Sequence, residues 1–219
     1  MAVTKFYLPS TGAAAVSPAF DTLWDDTASA DRIAAVTTKI NSAITDKVVG
    51  GIAVNDADQL FRQYVSAPIG GGPITGTVKG QIRATEETAT INARAQIVIY
   101  VVSNDGSTLR GVLYAGDTGA LDASEFSTSG RINRKFPRDS PAAVSSVSAV
   151  TNDRIVMEIG ARRSGSSLID VYLVFGDTTT GTDLPEDETT FTSTTIPWIE
   201  FSEDLFTSRL KGARAYILG

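Results

Sequence analysis

The chain has no cysteine and no histidine. The first absence excludes disulfides, thiolate nucleophiles and thiolate metal sites. The second removes the commonest general base, the Ser-His-Asp arrangement and imidazole ligands. Carboxylates could still serve acid–base work, but a non-enzymatic role without cofactor or metal is expected. No apolar run approaches the roughly 18 residues that cross a bilayer, and no membrane partner is expected. Acidic residues outnumber basic ones, 25 to 19. A net charge of −6 gives no electrostatic reason to bind nucleic acid, whose affinity rests on Lys and Arg neutralising phosphates. The start, Met1-Ala-Val-Thr-Lys-Phe-Tyr-Leu-Pro9, lacks the zones of a secretory signal, which predicts synthesis and assembly in a cytoplasm.

What is present is a β pattern. Along Ile74–Thr85 the residues Ile74, Gly76, Val78, Gly80, Ile82 and Ala84 share one face, and Thr75, Thr77, Lys79, Gln81, Arg83 and Thr85 the other. A period of two predicts a strand with one buried and one wet face. At roughly 3.3 Å per residue it spans about 40 Å, with its Thr/Lys/Gln/Arg side expected to meet water. Similar alternation predicts strands over 93–103 (Ala93, Ala95, Ile97, Ile99 and Val101 inward), 154–161 (Ile155, Met157, Ile159 and Ala161 inward) and 168–175 (Ile169, Val171, Leu173 and Phe175 inward). Weaker candidates are 32–40, 60–66, 132–136, 144–150 and 197–201, with Glu125 and Phe126 as a short edge strand. Residues 41–58 fit either a strand or a short helix. Asn104-Asp105-Gly106-Ser107 is a hairpin turn signal and makes 93–103 and 108–115 antiparallel neighbours.

About ten short strands, turns every 8 to 12 residues and no long helix predict an all-β fold, an antiparallel β-sandwich of jelly-roll-like form. With 42% hydrophobic residues in 219, a core is readily built. The organisation read from the chain is an extended N-terminal arm over 1–30, a sandwich domain over 31–202 and a C-terminal tail over 203–219. Pro9 and Pro18 suit the arm to an extended path. It either straps over its own core or lies on a neighbouring subunit, with Phe6 and Tyr7 as contact candidates. The tail carries Arg209, Lys211 and Arg214 among apolar residues, so it either docks on another acidic copy or packs back as a strand.

A second apolar stripe runs along the faces expected to point outward: Val98, Tyr100 and Val102, then Val112 and Tyr114, then Tyr172 and Val174. Solvated strand faces are normally polar, so such a stripe marks subunit contact, a ligand-stacking face, or cover by a loop or the arm of the same chain.

Chemistry-bearing groups are weaker signals. Asp177, Asp183, Glu186, Asp187 and Glu188 form the densest carboxylate group, which could hold Ca²⁺ or be a solvated acidic loop. Glu158, Asp170 and Glu200 lie on strands and could flank a glycosidic bond or decorate an outer sheet face. Gly70-Gly71-Gly72-Pro73 lacks the following Lys-Ser/Thr of a phosphate loop. Arg131, Arg134, Lys135 and Arg138 form a basic cluster suited to solvent or to an acidic partner. Trp24, Trp198 or the tyrosines are the platforms available for sugar stacking.

Phe6-Tyr-Leu-Pro-Ser-Thr-Gly-Ala-Ala-Ala-Val-Ser-Pro-Ala-Phe20, Gly76-Thr-Val-Lys-Gly-Gln-Ile-Arg83, Asp153-Arg-Ile-Val-Met-Glu-Ile-Gly160, Thr182-Asp-Leu-Pro-Glu-Asp-Glu-Thr189 and Pro197-Trp-Ile-Glu-Phe-Ser202 resemble uncharacterised virion structural proteins of tailed bacteriophages and prophages. The similarity runs through most of the chain, but that group has no motif fixing one role. The resemblance implies a virion component assembled in the host cytoplasm, foremost a capsid cement or decoration protein. Its implied partners are the major capsid protein or another virion protein, and further copies of itself in a homo-oligomer such as a trimer. A tail, neck, baseplate or fibre part is the alternative, and a carbohydrate-binding sandwich the one outside virions. The resemblance carries over no functional residue.

Overall fold

The computed structural model describes residues 3–49, 57–116, 125–137, 141–164, 170–188 and 195–207. These contain fourteen strands and no helix: β1 (Thr4–Tyr7), β2 (Asp31–Ala34), β3 (Thr45–Val49), β4 (Ala57–Val65), β5 (Gly72–Ile74), β6 (Thr77–Glu86), β7 (Ala93–Val102), β8 (Leu109–Ala115), β9 (Ile132–Phe136), β10 (Ala142–Ala143), β11 (Val147–Ala149), β12 (Arg154–Arg163), β13 (Val171–Phe175) and β14 (Trp198–Phe201). The fold is all-β, built of several largely antiparallel sheets.

One sheet runs β1-β14-β6-β13-β3, with β9 and β10 also paired to β6; a second runs β2-β4-β12-β7-β8; β11 and β5 form a small third sheet. Only the β2–β4 strand pair is parallel among those described. The alternating residues of each large sheet meet in one core. Ile82, Leu173, Phe175, Ile199 and Phe201 come from the first, and Phe61, Tyr64, Ile97, Ile99, Ile155, Met157 and Ile159 from the second. All are almost wholly removed from water, and such burial is the main favourable contribution to folding.

The strand expected over Ile74–Thr85 is divided. Gly76 has φ +85°, a left-handed conformation that turns the chain between β5 and β6, so Ile74 pairs with β11 in another sheet. β6 is a central strand rather than a half-wet one. β14 and then β13 pair along one side of it, and β10 and β9 along the other. Thr75 is exposed and Thr77 and Lys79 half-buried, but Gln81, Arg83 and Thr85 are buried, contrary to the expected wet face. The reason is cover by other chain segments: with its amide correctly oriented, Gln81 donates to the carbonyls of Asp187 and Pro185, and Thr85 donates to the Ser127 carbonyl.

The hairpin expected at 104–107 is present. Gly106 N donates to Ser103 O at 2.8 Å, and Ser103 N to Thr108 O at 2.8 Å. Glu125 and Phe126 form no strand, although Phe126 N does donate to Ala93 O. The expected arm splits its work. β1 is a full member of the first sheet, registered Phe6↔Ile199 against β14, and the segment from Ser17 to Trp24 crosses the outer face of the second sheet.

Candidate functional site

The Val/Tyr stripe is where the structure departs most informatively from expectation. Val98, Tyr100 and Val102 of β7 do point away from the inter-sheet core, but they are buried with Trp24, Leu60 and Val156, beneath Phe20, Leu23 and Ala30. The cover is the chain's own N-terminal segment. Val112 packs against this cluster from β8, whereas Tyr114 packs against the inter-sheet core. A register irregularity separates them: Ile99 faces Tyr114 while Tyr100 faces Val112, so one extra residue reverses the alternation. Tyr172 and Val174 belong to β13 in the other large sheet, so they cannot extend the patch; Tyr172 is half-buried and Val174 buried. Phe6 is fully buried against the rings of Phe201 and Phe206. Tyr7 is half-buried beneath Lys39. Arg209, Lys211 and Arg214, like Arg138, lie outside the described residues. The exposed large apolar side chains among those described are Val3, Val48, Leu109, Val150 and Phe206.

Glu158 anchors the strap. Its strand, β12, has partners on both sides, and its side chain is fully buried on the outer face. Four donors converge on the carboxyl: Trp24 Nε1 at 2.6 Å, Tyr100 OH at 2.8 Å, Gln63 Nε2 at 2.9 Å and Asp21 N at 3.2 Å. Tyr100 OH also lies 2.8 Å from the Ala19 carbonyl. One hydroxyl hydrogen cannot serve both oxygens, so a proton on Glu158 completes the network by letting Tyr100 donate to Ala19. Burial acts in the same direction, pushing the carboxyl above its ordinary range against the pull of Gln63, Tyr100, Trp24 and Asp21. Arg32 completes the strap: its Nε donates to Gln63 Oε1 at 3.1 Å and its guanidinium lies 3.9 Å from the Phe20 ring centroid. Beside the network is an open cavity of about 410 Å³, lined by Pro18, Phe20, Asp21, Tyr100, Val102 and Leu109 among others.

The other acids are dispersed. Glu200 lies between Lys5 and Lys79, and Asp170 sits near Tyr172, so neither approaches Glu158 as a catalytic pair. The acidic group at 177–188 is not one site either. Asp177 is fully buried and accepts from Ile40 N and Ser42 Oγ, both at 2.9 Å. Asp183 pairs with Lys39 at 2.7 Å and Lys5 at 3.1 Å. Burial alone would raise its carboxyl, but the two lysines outweigh it and hold the group below its ordinary value. Glu186 pairs with Lys79. Among the described residues no three acidic side chains are placed to cage a metal. The basic cluster is dispersed too: Arg131 pairs with Asp46, while Arg134 donates to the carbonyls of Glu125 and Glu188. Both tryptophans are buried, with Trp198 Nε1 donating to Leu184 O at 2.8 Å, so neither offers a stacking platform.

A second cavity, of about 570 Å³, opens at the end of β6 and was not foreseen. Glu86, Glu125, Phe126, Ser127, Arg134 and Glu188 line it with others. Glu86 is 1% exposed; burial and the neighbouring Glu125 carboxyl push its own carboxyl up to about 7. In sequence, Glu86 is one more acid at a strand end, and nothing in the local pattern pairs it with Glu125.

No family model matches the chain, and no curated protein does. Among solved structures it is similar to the crystal structure of a CocE/NonD family hydrolase from Staphylococcus aureus, at 9% identity and a TM-score of 0.30. The match covers 94% of this chain and 35% of that one, so the chain spans about a third of that protein's length. A likeness at this level carries no argument about fold or activity.

Proposed function

We propose that the chain is a non-enzymatic virion structural protein, its sheets forming a β-sandwich of jelly-roll type, and that its role is capsid decoration. In this reading it binds the outer surface of the shell and neighbouring copies of itself, as a homo-oligomer such as a trimer. The resemblance to phage and prophage virion proteins motivates the named role. The structural observation that carries the non-enzymatic part is the use of Glu158 and Asp177. Both are fully buried and satisfied from within the same chain: Glu158 of β12 accepts from Gln63 on the neighbouring strand and from Trp24 and Asp21 of the N-terminal segment, and Asp177 accepts from Ile40 N and Ser42 Oγ. Acids used in this way serve a durable scaffold, and symmetric repetition multiplies weak surface contacts on such a unit.

The test is mass spectrometry of purified particles followed by cryo-EM of virions carrying a labelled copy. Label on the head surface supports decoration, and label on the tail, neck or baseplate moves the protein to that alternative. Absence from purified virions refutes the proposal.

A further inference from the structure

Two acids meet in the cavity at the end of β6, and they belong to separate pieces of chain. Glu86 is all but inaccessible, and its Oε2 accepts from Ala93 N at 2.8 Å. Its Oε1 is buried with no nitrogen or hydroxyl donor against it. The neighbour that remains is the half-buried carboxyl of Glu125, within hydrogen-bonding reach of the Glu86 side chain. Ionised carboxylates only accept, so this contact is a hydrogen bond when one proton lies between the two groups. Burial and the adjacent acid both favour the neutral form, pushing the Glu86 carboxyl up to about 7.

The stretch 125–128 lies along the end of β6 and is held by few other bonds. Phe126 N donates to Ala93 O at 2.8 Å, Glu86 N to Ser127 O at 3.1 Å and Thr85 Oγ1 to Ser127 O at 2.6 Å. Phe126 itself is seated in the inter-sheet core. Arg134 balances part of the acidity of the cavity, while its terminal nitrogens donate to the backbone carbonyls of Asn133, Glu125 and Glu188. Glu188 adds a third acid to the wall, and Arg94 is the smallest of the influences on Glu86. Arg163, buried on β12 opposite Ala93, acts with Asp170 instead.

We propose that Glu86 and Glu125 form a proton-held latch: one proton shared between their carboxyls fastens the 125–128 stretch to the end of β6, and its loss on alkalinisation lets that stretch lift and uncover Phe126. When the proton passes to solvent, two carboxylates stand side by side in a partly desolvated place, and lifting separates them. In the lifted form each carboxyl meets water and has an ordinary value of about 4.3. The closed pair holds its proton more tightly, so the stabilisation is complete below that ordinary value. It then falls by up to about tenfold per pH unit and is spent once the pH passes the closed-state value of about 7.

The experiment is amide hydrogen exchange of the full chain, followed by NMR from about pH 5 to about pH 8.5 and corrected for the intrinsic rate at each pH. Protection at Phe126 N and Glu86 N should fall by up to about tenfold per pH unit and level off near 7. Tyr7 N, bonded to Val36 O at the far border of the same sheet, should keep its protection. Glu86→Gln and Glu125→Gln each replace the shared proton by a permanent amide donor, so protection at the two latch amides should lose its pH dependence. Far-UV circular dichroism establishes that each variant folds, and Glu125→Gln carries the comparison if Glu86→Gln does not. Carboxyl NMR of the wild type needs neither variant: Glu86 and Glu125 should titrate together, with one step near 7. The proposal is overturned if wild-type protection at the latch amides is independent of pH, or if a folded variant keeps the wild-type slope. It is equally overturned if Tyr7 N loses protection in parallel, which is global unfolding, or if both carboxyls titrate at ordinary values.

Discussion

Tyr100→Phe removes a single oxygen from the buried network under the strap and leaves the ring in place. That oxygen is 2.8 Å from both Glu158 Oε1 and the Ala19 carbonyl. Its loss leaves Ala19 O with only Gln63 Nε2 at 3.5 Å, and Glu158 Oε1 with Gln63 and a long contact to Asp21 N. Loss of one buried partner of this kind costs about 1–3 kcal/mol. For a chain of this size each kcal/mol lowers the melting temperature by about 2–4 °C, so a central value of 2 kcal/mol gives a fall of about 4–8 °C. Thermal unfolding by circular dichroism measures the total. Hydrogen exchange at Asp21 N, which donates to Glu158, measures whether the strap itself has loosened. A pH series adds a sign. Glu158 has a raised folded-state pKa, so its favourable contribution is complete below the ordinary carboxylate value of about 4.3 and is lost as pH rises through the folded value. Strap exchange in the wild type therefore speeds up on alkalinisation through that window. Tyr100→Phe removes a donor to the charged form and moves the window upward. A variant within about 0.5 kcal/mol of wild type, with unchanged exchange at Asp21, would show that the hydroxyl does not hold the strap.

Three further perturbations test other parts of the molecule. Gly160→Ala places a Cβ 2.0 Å from the Gln59 carbonyl and 2.6 Å from Trp24 Cζ3, beside the register irregularity of β12; urea unfolding should show a loss of about 3 kcal/mol or more. Asp177→Ala strands the Ile40 N–H and the Ser42 hydroxyl in a buried site and should cost about 2–4 kcal/mol in the same assay, whereas Asp177→Asn retains one acceptor and should cost less. Carboxyl NMR titration should find Asp183 below its ordinary value, and Lys39→Ala should move it upward. Since that folded-state pKa is depressed, the Asp183 contribution is present above the ordinary carboxylate range and disappears as pH falls through the folded value.

The strands of the core were legible wherever a simple alternation met a sheet with one inner face. Ile97, Ile99 and Val101 on β7, Ile155, Met157 and Ile159 on β12, and Leu173 and Phe175 on β13 all stand where a period of two places them. The hairpin between β7 and β8 was equally local, because its turn chemistry lies within four residues. Tyr114 escaped because an extra residue in β8 changes the phase, and no composition signal marks that bulge. The Glu158 network escaped because its partners, Asp21, Trp24, Gln63 and Tyr100, come from three distant stretches of chain.

By itself the sequence determined an all-β chain without thiol or imidazole chemistry, the inward residues of its strands and a turn that pairs two of them. These follow from side-chain type and from a two-residue period, both properties of short segments. Tertiary structure alone decided which outward faces are wet. Gln81, Arg83 and Thr85 read as a solvent face yet are buried, and Val98, Tyr100 and Val102 read as a contact surface yet lie under residues 20–30. Periodicity sorts side chains into two faces, but what covers the second face depends on contacts between residues far apart in sequence.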